Sequence, residues 1–130
     1  MKLEIILLDK QAQKYKKEME KMAGRLADFL PKKGEIDVYL ISSGRMRHLN
    51  KMFRKKDKPT NVLSFQKPKN FPGKQLGEVY LDPFYIKKHK EDLTLMLVHG
   101  VLHILGYDHK KRNDRIIMEK KEARLLSEIS

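Results

Sequence analysis

The chain opens on a short apolar run, Leu3 to Leu8, interrupted only by Glu4, and this pattern predicts a β-strand. From Lys10 to Leu30 the period changes. Tyr15, Met19, Met22, Leu26 and Phe29 recur every three or four residues, forming the stripe of a long amphipathic helix that Pro31-Lys32-Lys33-Gly34 breaks. Glu35 to Ser42 alternates, Ile36, Val38 and Leu40 against Asp37 and Tyr39, which predicts a second strand. Ser43 is read as the N-cap of a short helix through Arg54 that buries Met46, Leu49 and Phe53. A loop over Lys55 to Pro59 leads into a short strand, Asn61 to Phe65, whose proline entrance suits an edge strand or a strand start.

After a second loop, Pro68 to Gly73, the pattern gives a fourth strand over Leu76 to Leu81. Pro83 opens a short basic helix to Lys90, and Asp92 caps a helix through Leu105 that is apolar nearly all round. A last helix, about Asn113 to Ser127, carries Ile116, Ile117, Leu125 and Leu126 as core candidates. Together these elements predict an α+β fold. We expect one domain over residues 1–130, with a small four-stranded mixed sheet packed against about five helices.

The Asp92–Leu105 helix carries the candidate chemistry. His99 and His103 stand four residues apart and share a helix face, while Gly106 can end the helix in a left-handed turn and bring His109 round. Each buried polar group left without a partner costs on the order of 1–3 kcal/mol, so imidazoles gathered in an apolar helix call for a common partner. Three nitrogens with a fourth position open to solvent is the donor set of a catalytic zinc, here at the C-terminal end of a buried helix. The spacing His-x3-His-x5-His is that of metzincin peptidases, which carry a glutamate base after the first histidine. Here that position is Gly100, which cannot accept a proton.

Charge narrows the substrate. Twenty-nine Lys and Arg against seventeen Asp and Glu give +12 and a pI near 9.8, the range of nucleic-acid binders. A lysine-rich solvated surface would raise Glu along with Lys, so it does not account for the excess. No cysteine is present, which excludes disulfides and thiolate metal sites and suits a reducing cytoplasm. No run is long enough to span a bilayer and no signal peptide opens the chain, so a cytoplasmic protein without membrane contact is expected.

The run from His99 to His109 resembles the signature of the YbeY family of bacterial metal-dependent endoribonucleases. The block Leu49 to Phe65 resembles that family's second motif, Leu76-Gly77-Glu78-Val79 its Leu-Gly-Asp-Ile-like strand, and Met118-Glu119 with Glu122 its C-terminal helix. Glu78 departs from the usual aspartate, and Lys110-Lys111-Arg112 is basic where the family is usually acidic. The resemblance implies a zinc-dependent, single-strand-specific endoribonuclease that matures the 3′ end of small-subunit rRNA and works with the ribosomal small subunit and assembly factors. It also implies one Zn2+ per chain on His99, His103 and His109, with Arg54 and His103 as catalytic residues.

On the residues alone, Arg54 has two equal readings, a fork onto phosphate oxygens or a surface ion pair with Asp57; the resemblance favours the first. Asp108 is open between orienting a neighbouring ligand and a solvated helix end. His48 and His89 are expected at the surface and Met118 in the core, and Ser64 lacks a neighbouring base. Phe53, Phe65, Tyr80 and Tyr107 are able to stack on bases, although core packing is expected for most. Two other classes stay open: a zinc hydrolase of another bond, peptidase-like, and a non-catalytic assembly factor whose zinc only pins the fold.

Overall fold

The structure is a computed structural model describing residues Met1–Ser130. Four strands, β1 (Lys2–Leu7), β2 (Glu35–Leu40), β3 (Val62–Gln66) and β4 (Gln75–Leu81), form one sheet in the order β1-β2-β4-β3. β1 and β2 are parallel, as are β2 and β4, while β3 runs antiparallel to β4 and forms an edge. The sheet is therefore mixed, and the strand behind Pro59 is an edge strand, one of the two placements that the proline suits.

Five α-helices surround the sheet: α1 (Gln13–Ala27), α2 (Ser43–Arg54), α3 (Pro83–Lys88), α4 (Leu93–Ile104) and α5 (Arg112–Ile129). A 3-10 turn, Lys10–Ala12, precedes α1, which is shorter than its apolar stripe suggests. Alternate residues of the strands, among them Ile36, Val38, Leu40, Val79 and Leu81, point to one face and form the main core with α1, α4 and α5. α4 is apolar all round because it lies on β3 and β4 and is itself covered by α5. Truncating a fully buried leucine of this helix, such as Leu97, costs about 2–5 kcal/mol.

The opposite face of the sheet is covered at one end by α2, whose Met46 packs with Ile41 and Leu63 beside Tyr39, Leu49, Phe65 and Tyr80. Ser42, not Ser43, caps α2: its Oγ accepts the Arg45 N–H at 3.3 Å. The Ser43 hydroxyl instead donates to the buried Asp82 carboxylate at 2.7 Å, and Asp82 caps α3 through the Tyr85 N–H. Burial pushes the Asp82 carboxyl up, against the hydrogen bonds from Ser43 and from the backbone N–H groups of Tyr85 and Phe84. Asp92 caps α4 as expected, accepting the N–H groups of Thr94 and Leu95.

Four residues expected in the core are exposed: Phe29, Phe53, Ile116 and Ile117. Phe29 lies beyond the end of α1, and Phe53 sits in the last turn of α2. On α5 the buried positions are Met118, Glu122, Leu125 and Ile129, a stripe that leaves both isoleucines of the first turns off the packed face. Met118 is core, as predicted. No helix is long and apolar enough to cross a membrane.

Candidate metal centre

α4 delivers two imidazoles and its C-terminal turn delivers the third. The Nε2 atoms of His99 and His103, one helical turn apart, lie within 3.1 Å of each other. Gly106 then takes a left-handed φ of 98°. Its N–H donates to the His103 carbonyl at 3.1 Å, and the Tyr107 N–H donates to the Leu102 carbonyl at 3.0 Å. This paired closure is a Schellman turn, which a side chain at position 106 would strain.

Asp108 shapes the next step of the chain. Its Oδ1 accepts the N–H groups of His109 at 2.6 Å and Lys110 at 3.0 Å, bending the backbone so that the His109 ring returns towards α4. Asp108 thus bonds the backbone around His109 and hydrogen-bonds to none of the three rings. Burial, the largest single effect on its carboxyl, acts upwards, but those two backbone N–H groups and the nearby Lys110 and His109 charges together outweigh it and hold the carboxyl low.

The three histidines offer one ring nitrogen each, all within 4.8 Å of one another. Nitrogens at about 2.0–2.1 Å from a tetrahedral zinc stand somewhat closer to each other than that. His109 is the exposed member of the set. Burial, followed by the adjacent His99 and His109, pushes the His103 pKa down, favouring the neutral ring whose lone pair a metal needs. The donor set and its protonation therefore fit a divalent metal that accepts imidazole.

Behind His99 stands a residue to which the sequence reading gave no role. The His99 Nδ1 lies 3.1 Å from the Oε2 of Glu122, which comes from α5 and is only 9% exposed. That carboxyl engages Nδ1, which leaves the His99 Nε2 facing the cluster, 3.1 Å from the His103 Nε2. The available signal was an acid at a position where the α5 stripe of Met118, Leu125 and Ile129 calls for an apolar side chain.

Arg54, the last residue of α2, lines the same cavity of about 710 Å3 as His99, His103 and His109. Asp57 does not pair with Arg54. It binds Arg47 at 2.7 Å, with Lys51 at 4.0 Å, and Arg54 is left without an ion pair. The buried Asn50 donates its amide to the Lys58 carbonyl at 2.8 Å and so ties down the loop that follows α2. Thr60, Asn61, Ser64, Gln66 and Lys110 complete much of the polar lining.

The other candidates take no part in the histidine cluster. His48 is exposed on α2, and His89 stacks on Tyr85 with ring centroids 3.9 Å apart. Ser64 donates its hydroxyl to the Gly100 carbonyl at 3.1 Å and meets no base. Gly100, at the position of the metzincin glutamate, is packed against the sheet. A Cβ there would stand 2.6 Å from Val79 Cγ1 and 3.1 Å from Val62 Cγ2.

The family model described as Endoribonuclease YbeY matches residues 4–130. Endoribonuclease YbeY of Neorickettsia sennetsu is 40% identical over 112 residues, covering 76% of this chain and 76% of the relative. The protein of the same name from Ehrlichia canis is 38% identical over 102 residues, covering 72% of this chain and 66% of the relative. In fold, the chain is similar to the solution structure of TM1509 from Thermotoga maritima, with a TM-score of 0.61 at 23% identity, covering 98% of this chain and 88% of that one. The match runs through the histidine turn, the Arg54 block and the helix that brings Glu122, and on that ground the chain belongs to the endoribonuclease YbeY family.

Proposed function

We propose that this chain is a zinc-dependent endoribonuclease that cuts single-stranded RNA. The observation that carries the reading is the meeting, in one cavity, of three imidazoles with a guanidinium that has no protein partner. We assign His99, His103 and His109 as the ligands of one Zn2+, and Arg54 and His103 as catalytic. Zinc, when bound, supplies Lewis acidity towards a phosphoryl oxygen and towards water.

The chain's own residues do the rest. Arg54 forks two hydrogen bonds onto phosphate oxygens and opposes the charge that builds up during cleavage. Lys110, at the cavity wall, adds a second positive charge for the backbone of the substrate. Glu122 holds the His99 ring in place. The net charge of +12 draws a polyanion to this surface, which favours RNA over a peptide. A cytoplasmic role in maturing the 3′ end of small-subunit rRNA, beside the ribosomal small subunit and assembly factors, follows from the family.

The test is incubation of metal-quantified protein with defined single- and double-stranded RNAs and a casein control, alongside His103→Ala. Zinc-loaded protein is expected to cut single-stranded RNA alone, and the variant to lose that activity. Equal cleavage by His103→Ala would sink the metal-centred reading. RNA that binds but is never cut would turn it into a non-catalytic assembly factor.

A further inference from the structure

Beside the cavity, on the other side of edge strand β3, a large aromatic ring stands open to solvent. Phe53 is 58% exposed although it belongs to the last turn of a helix. Leaving such a ring in water forgoes part of the stabilisation that burial brings. Only one edge-to-face contact braces it, Phe65 at a centroid distance of 5.0 Å, and Phe65 in turn leans on Tyr80. We propose that Phe53 is a stacking platform for one unpaired base of the RNA whose phosphate Arg54 holds. This inference rests on the RNA-directed reading above.

Three observations select that occupant. The first is charge: residues 51–58 hold five cations and one acid, Asp57, which Arg47 and Lys51 already engage. Lys55, Lys56 and Lys58, in the turn and loop that follow Phe53, are exposed and join no ion pair, so this segment suits phosphates. The second is size. Met52 and Phe53 are the only large hydrophobic side chains that α2 exposes, far short of the roughly 800 Å2 per partner that a stable protein interface buries. The Phe53 ring is large enough for a base.

The third is rigidity. α2 ends sharply at Lys55, which takes a left-handed φ of 58°. Its N–H donates to the Lys51 carbonyl and the Lys56 N–H to that of Asn50, fixing the turn that carries Phe53 and Arg54. Phe53 and Arg54 are consecutive residues of this one fixed turn, the first against Phe65 and the second at the cavity. The strand proposed here therefore rounds the edge of β3 between the phosphate at Arg54 and the base on the ring. A base inside a duplex is already stacked and paired and cannot reach it. The platform therefore contributes preference for single strands in a way that a phosphate clamp by itself does not.

The chain contains no tryptophan, so Phe53→Trp places a single reporter at the site. Rapid mixing of the full-length variant with a short single-stranded RNA is expected to quench its fluorescence. The same length of abasic strand, or the RNA annealed to its complement, is expected to leave it largely unchanged. Phe53→Ala should weaken single-strand binding roughly 5- to 150-fold while leaving duplex binding and the thermal midpoint where they were. RNA binding without quenching, or equal affinity in Phe53→Ala, would overturn the platform. Quenching that grows with protein concentration in the absence of RNA would also overturn it, by making the patch a self-association surface. Quenching without any cleavage would support the platform while removing the nuclease reading, and failure of the unmodified chain to bind RNA would remove both.

Discussion

The carboxylate of Glu122 accepts a hydrogen bond from His99 Nδ1 at 3.1 Å, across the contact between α5 and α4. The bond fixes which nitrogen of His99 faces the other two imidazoles. Outer partners of this kind affect metal affinity by about 10- to 100-fold. Glu122→Ala is therefore expected to weaken zinc binding by that order in a chelator competition. Glu122→Gln, which keeps an acceptor oxygen, should recover part of the loss. Equal zinc affinity in all three proteins would leave Glu122 as a packing residue only.

Arg54 makes no ion pair, so its removal should cost little stability, within about 0.5 kcal/mol in thermal or denaturant unfolding. Cleavage of single-stranded RNA, by contrast, should fall on the order of 10²- to 10³-fold in Arg54→Ala, with zinc content unchanged. Arg54→Lys should not restore the rate, because an ammonium lacks the planar fork. A variant that loses zinc or melts early would show that Arg54 supports the fold and not the reaction.

Acid should loosen the attachment of α2. The Asp9 carboxylate accepts the Arg45 guanidinium in a fork at 2.9 Å on each oxygen and also the Ser42 N–H at 2.9 Å, tying the end of β1 to the start of the helix. The Arg45 hydrogen bond, aided by Ser42 and outweighing burial, lowers the Asp9 pKa from its usual 3.8. A carboxyl lowered in the folded state contributes stability that is complete above the unfolded pKa and disappears as pH falls through the folded one. Asp9→Asn should therefore be less stable than the parent at neutral pH, and the gap should close below about pH 4. A gap that persists at pH 2 would assign it to packing.

What could be read from the sequence was local. The Gly106 turn and the Asp92 cap follow from a few neighbouring residues, and the three histidines lie within eleven positions. Glu122 reaches His99 from 23 residues away, and Arg45 reaches Asp9 from 36, so nothing nearby in the chain marked either pair. Periodicity also misplaced Phe53 and Ile117. It reports that an apolar face exists but not how far the opposing surface extends. α2 packs on the sheet through Met46 and Leu49, while its last turn meets it only through the edge contact of Phe53 with Phe65, which leaves Phe53 exposed. Local pattern brought out Gly100 as a missing base, whereas only packing shows why no side chain fits there.

Gly100 lets α4 lie directly on the sheet. Its absent Cβ would point at Val79, Val62 and the Ser64 hydroxyl, with the first contact at 2.6 Å. Gly100→Ala should therefore be overpacked and lose about 1–3 kcal/mol, despite the better helix propensity of alanine. Gly100→Glu, which restores the metzincin sequence, should do worse, because its carboxylate starts among valines with no cation to meet it. The expected result is a much lower thermal midpoint and no hydrolysis of casein. A stable Gly100→Glu protein that cleaves casein would mean that the helix can shift enough to aim position 100 at the metal. The distinction between this centre and a peptidase would then rest on one side chain, and not on how α4 is seated.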